Sequence, residues 1–517
     1  MGMGFPRVVV NEEDASFFVD TLIKGISCVE GITERGPINK PIRVGSAAQF
    51  QRYFGGDLAY SDFPTVVKRA FAYGAVLYVS RITHEGAGDT AAVTLKDRAG
   101  VNTLKIKASS PGDWGNGLAV TIESSADDTS IFTLKILLGG NVVESFTGLS
   151  MTATLENYVG RIKSDYIEVE DLFTATAGDN ARPADVVKTA LSGGTSGVLD
   201  EHGALTVTDA DYIGTQAEHT GMYAFDEIED ALQLAVPGVT SPAVITAGLA
   251  YCESRKDMFF IAETPFDLEP QEAYEFRMGK GSYSHATFNS SYGGLYYGKP
   301  KIYDVSKGRE IFISASSDVI GVYAQSDFKK SEAAVPAGGR RGKLLNCLGV
   351  DVNVAAKGRR SDGDLLAENQ INPICVFDDM GPVVWDARTL QRQASLLQNV
   401  NVRRLMIVVE KSVAAYARAF LHEPNTPDTW RAFWRGLDPK FREWKAQDWF
   451  YDYRISCDQD VQTIDDAKIN TTESIQRGEF HCKIFVKPVV GIRWIVVDAI
   501  ITRLDADFAE LETEMTE

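Results

Sequence analysis

The sequence predicts an α+β multidomain chain: a C-terminal α+β domain, a layered α/β outer domain, and a small β domain inserted into the latter. Three observations carry this. Val402, Leu405, Val409, Val413, Tyr416 and Phe420 recur at steps of three and four, one face of a helix. Residues 23–90 and 199–328 alternate helical and strand patterns, the texture of a layered α/β domain. Between them, residues 94–96, 103–107, 118–122 and 132–136 alternate apolar and polar side chains at roughly 12-residue spacing, as the short strands of a β domain do.

Taken in order, residues 1–22 read as an arm. Arg7, Val8, Val9 and Val10 form a short strand, Asn11-Glu12-Glu13-Asp14 an acidic turn, and 16–19 a second short strand. Neither strand has the apolar surface to build a core alone. Residues 23–90 read β, α, α, β at 26–32, 47–53, 65–73 and 76–82. The inserted β domain is expected over 91–198, leaving through the flexible run Leu191-Ser192-Gly193-Gly194-Thr195-Ser196-Gly197. The outer domain resumes over 199–328, with a helix at 242–252, a strand at 258–262, and a helix or strand beginning at 318. Residues 329–366, rich in Lys, Arg, Gly and Ala, read as an exposed connector. A phosphate loop there is the alternative, but no strand-to-helix context surrounds its glycines.

The C-terminal domain, 367–492, lies within a stretch (371–500) that holds six of the seven tryptophans. Residues 403–410 alone resemble a buried strand. The register continuing to Phe420 favours one helix of about twenty residues, roughly 30 Å long. Glu423-Pro424-Asn425 stops it. Trp430, Trp434 and Leu437 mark a second helix, expected to break near Gly436 and Pro439, with Phe441 and Trp444 continuing its apolar face. A third helical run is expected over 387–398. The β-branched and aromatic runs 480–486 and 494–501 read as strands. The terminal segment 493–517 combines the second of these with a tail: residues 504–517 carry six acidic side chains and no basic one. That tail is either solvated or set against basic residues of a neighbour.

Composition narrows the function classes. The net charge of −19 argues against broad contact with nucleic-acid phosphates. No apolar run reaches the eighteen or so residues that span a bilayer, and no secretory signal is visible, so neither membrane insertion nor export is expected. There is no GxSxG, HExxH or P-loop pattern. The paired carboxylates Asp378-Asp379 and Asp465-Asp466 are adjacent, so on a helix or strand they point apart. The six cysteines show no CxxC and no zinc spacing with histidine. No catalytic, cofactor or metal residue is expected, and the chain is not expected to be an enzyme.

A set of dispersed motifs then points to a family. Asn372-Pro373, the run from Gly381 to Leu390 (GPVVWDARTL), Asn401-Val402-Arg403-Arg404-Leu405, Glu423-Pro424-Asn425 and Lys487-Pro488-Val489 stand in one order and spacing. In that order and spacing the stretch resembles the C-terminal domain of contractile tail sheath proteins of phages and related injection machines. Upstream, GITERGP at 31–37, FQRYFGG at 50–56, YVSRI at 78–82, PGDWGN at 111–116 and Val236-Pro237-Gly238 follow in family order. The resemblance covers most of the chain and is weakest over 120–195 and 329–366. At 298–300 the usual aromatic and proline-rich wording is replaced by Gly-Lys-Pro.

The resemblance implies a structural subunit of a phage tail sheath, a helical homo-oligomer around an inner tail tube that contracts to drive the tube through the host envelope for genome delivery. Baseplate and tail terminator proteins are the further partners implied, with assembly in the host cytoplasm, a place in the virion tail, and no cofactor. A type VI secretion or extracellular injection sheath is the alternative, and a surface adhesin using the inserted β domain a third. Strand exchange between subunits is expected at Arg7, Val8, Val9 and Val10, at Phe480, Lys483 and Phe485, and at Trp494, Val496 and Ile500. Arg403 and Arg404 fall in the first turn of the long helix, where the dipole disfavours cations. Either a local carboxylate such as Asp386 offsets them, or an acidic surface of a neighbour or the tube does. Cys28, Cys457 and Cys482 are either buried thiols or cross-links between subunits outside the reducing cell.

Overall fold

The computed structural model describes residues 24–84, 88–125, 130–172, 182–197, 206–305, 307–356 and 358–493. The expected arm strand at Arg7, Val8, Val9 and Val10, and the expected terminal strand with Trp494, Val496 and Ile500, lie outside these residues. The molecule mixes helices and sheets in several units, as an α+β multidomain fold does.

Its centre is an eight-stranded sheet in the order Gly381–Val384, Ile371–Phe377, Gly293–Tyr297, Phe259–Glu263, Gln233–Ala235, Ile26–Gly31, Val76–Arg81, Ile42–Val44. The six inner strands run parallel and the two edges are antiparallel. Ile26–Gly31, Phe259–Glu263 and Gly293–Tyr297 are buried at every residue. Parallel strands covered on both faces need such continuous apolar runs. Cys28 sits in the middle, opposite Leu234 on one side and Tyr78 on the other. One face is covered by a core that includes Phe63, Val319, Tyr323, Leu405 and Phe441, the other by a core that includes Phe225, Val244, Phe276 and Leu366.

The sheet runs straight through the boundary expected at residue 367. Ile371–Phe377 pairs in parallel with Gly293–Tyr297 of the expected outer domain, Leu295 standing opposite Ile371. The expected connector is not a solvated linker. Ser331, Glu332, Leu344, Val354 and Leu366 are buried, the Leu344 N–H donates to Pro382 O, and the helix Arg360–Glu368 packs on the Ile371–Phe377 strand.

Residues 92–190 fold into two facing antiparallel sheets. One is Val186–Ala190, Leu118–Ser124, Phe132–Leu138 and Asn141–Leu149; the other is Ala92–Lys96, Asn102–Ala108 and Ile167–Asp171. Period-two side chains such as Leu104, Ile106, Val120, Ile122, Leu134 and Ile136 fill the space between them. This sandwich joins the central sheet through two buried arginines. The Arg35 guanidinium lies 5.3 Å from the Trp114 ring and 4.7 Å from the Tyr166 ring and donates to Gln51 O and Arg52 O, each at 2.9 Å. Arg81 Nη1 donates to Gly36 O at 3.2 Å and Pro111 O at 2.8 Å, and burial pushes its pKa down to about 10. Three of the family-like motifs, at 31–37, 78–82 and 111–116, meet at this joint.

The long helix is Val400–Ala417, closed by a 3-10 turn at Arg418–Phe420. The second helix, Pro427–Ala446, is continuous, against the expected break. Pro439 lies on its exposed face, so the Arg435 carbonyl, which loses its donor, faces water. Meanwhile Trp430, Phe433, Leu437, Phe441 and Trp444 stay buried as one stripe. The helix expected over 387–398 does not form beyond the 3-10 turn Leu396–Gln398. Asn372 explains this: it donates to Arg388 O at 2.8 Å and accepts Arg388 N–H at 2.6 Å. Thr389 N–H goes to Gln398 O instead of to a helical partner.

Candidate interaction surface

The strand expected at 480–486 begins three residues later. Lys483–Pro488 pairs antiparallel with Phe450–Ser456 as a two-stranded sheet, with Tyr453 opposite Val486 and Arg454 opposite Phe485. The ribbon rests on the Pro427–Ala446 helix and, among the described residues, neither outer edge meets a third strand. An isolated pair of strands is marginal in water, and unpaired edges are templates for a further strand. Lys483, Phe485 and Lys487 face outward, and Tyr451 and Phe485 are large exposed aromatic side chains at 68% and 57%. Phe480 is not on this surface: its ring packs edge-on against Phe433 at 5.1 Å, in the subunit's own core.

The described chain ends beside this ribbon in a groove of about 1400 Å³, lined by Phe377, Trp385, Arg388, Asn401, Ile492 and Arg493 among others. Arg493 donates to Asp386 at 2.5 Å, Trp385 packs on Phe377 at 4.5 Å, and Ile492 is 83% exposed. The last described residues, Ile492 and Arg493, therefore lie in a groove of mixed apolar and charged lining.

The two arginines of the long helix turn inward. Arg404 donates to Asp327 Oδ2 at 2.6 Å and lies 4.6 Å from the Tyr323 ring, with both charged side chains buried. Burial disfavours the Arg404 charge, but the Asp327 carboxylate outweighs it and holds the guanidinium above its ordinary pKa. Burial in turn pushes Asp327 above the usual carboxylate range. Arg403 donates to Ser291 Oγ at 2.8 Å and lies 4.1 Å from the Tyr292 ring, also buried. The unfavourable end of the helix dipole is thus offset inside the subunit. Asp386, the expected local carboxylate, belongs to Arg493 instead. Neither arginine has the exposure that contact with a tube or neighbour requires.

The expected cross-linking thiols are corrected in the same way. Cys28 and Cys457 are fully buried and Cys482 half-buried, so two of the three cannot reach another chain. A second buried ion pair went unseen in the sequence. Lys299 Nζ donates to Glu263 Oε2 at 2.8 Å, and the same carboxylate accepts Ser314 Oγ and the Gly238 and Ala315 N–H groups. This gives the departure from family wording at 298–300 a physical role. Among the described residues, no group of three or more His, Cys, Asp or Glu side chains is placed to hold a metal ion, and no helix is long and apolar enough to cross a membrane.

Comparison with known proteins matches two segments. Residues 84–200 match the phage tail sheath protein beta-sandwich domain, and 392–502 the phage tail sheath C-terminal domain. Both matched segments belong to the contractile tail sheath family. A tail sheath protein of Vibrio phage KVP40 is 31% identical over 211 residues, 40% of this chain and 29% of that protein. The tail sheath protein of Enterobacteria phage T4 is 25% identical over 335 residues, 62% of this chain and 49% of that protein. The chain thus spans half or less of the length of these phage sheath proteins.

Solved sheath structures share the fold across nearly the whole chain. The sheath tail protein of Listeria innocua aligns at TM-score 0.59 and 12% identity, covering 90% of this chain and 95% of that one. The helical sheath of the anti-feeding prophage in its contracted state aligns at 0.55 and 14%, covering 96% and 99%.

Proposed function

We propose that this chain is the structural subunit of a contractile phage tail sheath. It polymerises helically around an inner tail tube, and its contraction drives the tube through the host envelope for genome delivery. The observation that carries the reading is the two-stranded ribbon with two open edges beside the groove from which segment 494–517 starts. A helical polymer needs a heterologous, open interface rather than a closed two-fold. Strand addition meets that need through backbone hydrogen bonds, without extensive side-chain matching. Arg7, Val8, Val9 and Val10 of one subunit, and Trp494, Val496 and Ile500 of another, add to the edges of Lys483–Pro488 and Phe450–Ser456, with Lys483 and Phe485 at the contact. The rest of the subunit moves as a rigid body. Its role is mechanical rather than enzymatic. Baseplate and terminator proteins cap the polymer, which is assembled in the host cytoplasm and resides in the virion tail.

Electron microscopy of purified full-length chain beside versions lacking 1–22 or 494–517 tests this. Striated hollow tubes from the full-length chain alone support arm-linked polymerisation. Tubes of equal length and order from both truncations refute it.

The near-complete structural coverage of the PVC sheath of an extracellular contractile injection system favours one other reading, the sheath of such an injection system. Particles purified from the source decide: attached capsids with packaged DNA support the phage tail, and capsid-free particles the injection system.

A further inference from the structure

We infer that Cys457 and Cys482 are a modification site: an opposed thiol pair that closes as an intrachain disulfide by exchange with a low-molecular-weight disulfide. The inference rests on the ribbon's geometry and not on the functional reading above. In the antiparallel register Ser456 stands opposite Lys483, so the next residues outward, Cys457 and Cys482, stand opposite each other. Opposed residues of antiparallel strands have Cα atoms about 4.5–5.5 Å apart, inside the roughly 4.4–6.8 Å span of a disulfide.

A second element holds this register independently. The buried Asn470 side chain donates to Cys457 O at 3.4 Å and to His481 O at 3.1 Å, and accepts His481 N–H at 2.7 Å. One side chain therefore ties the two chain segments together at the cysteines. Asp458 gathers the intervening loop, accepting the N–H groups of Lys468, Ile469 and Asn470 at 3.1, 2.8 and 2.7 Å.

The two thiols differ in a way that suits sequential exchange. Cys482 is half-buried, and its contact with Cys457 holds its pKa below the ordinary thiol value. Cys457 is fully buried, its Sγ 3.7 Å from Trp430 O, and that same contact, with burial, pushes it up. Cys28, Cys252 and Cys375 are buried in the central unit and raised by burial. Cys347 donates to the Gly349 carbonyl at 3.0 Å.

With glutathione disulfide as co-reactant the step balances. The Cys482 thiolate attacks one sulfur, the glutathione S–S bond breaks, a mixed disulfide forms, and one glutathione thiolate leaves. Cys457 loses its proton to solvent and attacks Cys482 Sγ, releasing the second glutathione. The protein loses two protons and two electrons, and the small disulfide is reduced to two thiols.

Full-length protein, purified reduced, is incubated with glutathione disulfide, denatured, alkylated and mapped by mass spectrometry. The expected product migrates as a monomer on a non-reducing gel, is about 2 Da lighter before alkylation, and carries a Cys457–Cys482 linked peptide that dithiothreitol abolishes, with the other four cysteines alkylated. A lasting glutathione adduct on Cys482 without the link, two free thiols, or a link to a second chain overturns the inference.

Discussion

Replacing Arg404 by methionine separates an internal strut from an assembly contact. Arg404 meets Asp327 Oδ2 at 2.6 Å with both side chains out of water, and Asp327 Oδ1 has no hydrogen-bond partner among the described residues. Removing one member of a buried pair leaves an uncompensated charge, a cost of about 3–5 kcal/mol. Linkage gives the same size. A carboxyl that must stay protonated when folded, against an unfolded pKa of about 3.9, costs about 4 kcal/mol at pH 7 and about 1.5 kcal/mol at pH 5. The sign follows: folded Asp327 in the variant binds one proton more than the unfolded chain, so the variant regains stability as pH falls towards 4. Replacing Asp327 by leucine in the same chain removes the stranded charge and restores most of the loss.

The assay is thermal unfolding of the unpolymerised chain, followed by tryptophan fluorescence at pH 7 and 5. Trp114 is the only tryptophan of the sandwich, so the signal reports mainly the central unit. Arg404→Met is expected to lower the midpoint by about 5 °C or more at pH 7, less at pH 5, with recovery in the double variant. An unchanged midpoint together with failed polymerisation would refute the burial argument and return Arg404 to the interface.

Three further outcomes are expected. Gly436→Ala, which helix propensity alone would make stabilising by about 1 kcal/mol, is instead destabilising by about 1–3 kcal/mol: its Cβ would stand 1.9 Å from Tyr416 Oη. Urea unfolding of the single variant and of its Tyr416→Phe partner, which removes that oxygen, reads the sign and the relief. Arg35→Ala deletes two hydrogen bonds to backbone carbonyls and two ring contacts at the sandwich joint, and timed limited proteolysis should release a sandwich fragment earlier than from the parent chain. Asp458 is held below the usual carboxylate range: burial opposes this, but the N–H groups of Asn470, Ile469 and Lys468 outweigh it. Its contribution is present above the unfolded pKa and lost as pH falls through the lower folded value. Asp458→Asn, a neutral mimic, should speed hydrogen exchange at 468–470 by about tenfold or more at neutral pH, since bonds to a charged group are worth about 1.5–3 kcal/mol.

What the sequence makes legible is what local periodicity encodes. The three-and-four spacing from Val402 to Phe420 and the alternation over 94–136 each mark an element whose own side chains decide its face. What it hides depends on partners far along the chain. Arg404 finds Asp327, 77 residues away; Lys299 finds Glu263, 36 away. The 387–398 helix fails because Asn372, in a neighbouring strand, takes the Arg388 backbone groups a helix would use. Pro439 fails as a breaker because its exposure cannot be read until the stripe from Trp430 to Trp444 is seen buried. The boundary at 367 looks natural in a composition scan, and only strand pairing shows that one sheet crosses it.

The family-like motifs gain a physical meaning from where they meet. Those at 31–37, 78–82 and 111–116 converge on the Arg35 and Arg81 joint, and Asn372-Pro373 converges with 385–390 on the Arg388 backbone. The buried pair Arg404–Asp327 ties two helices to each other, and Lys299–Glu263 ties a loop to a strand of the central sheet. The buried side chains of these motifs hold parts of the subunit to one another. In the sheath role proposed above this matters, because compliance within each subunit would absorb the displacement that the polymer delivers.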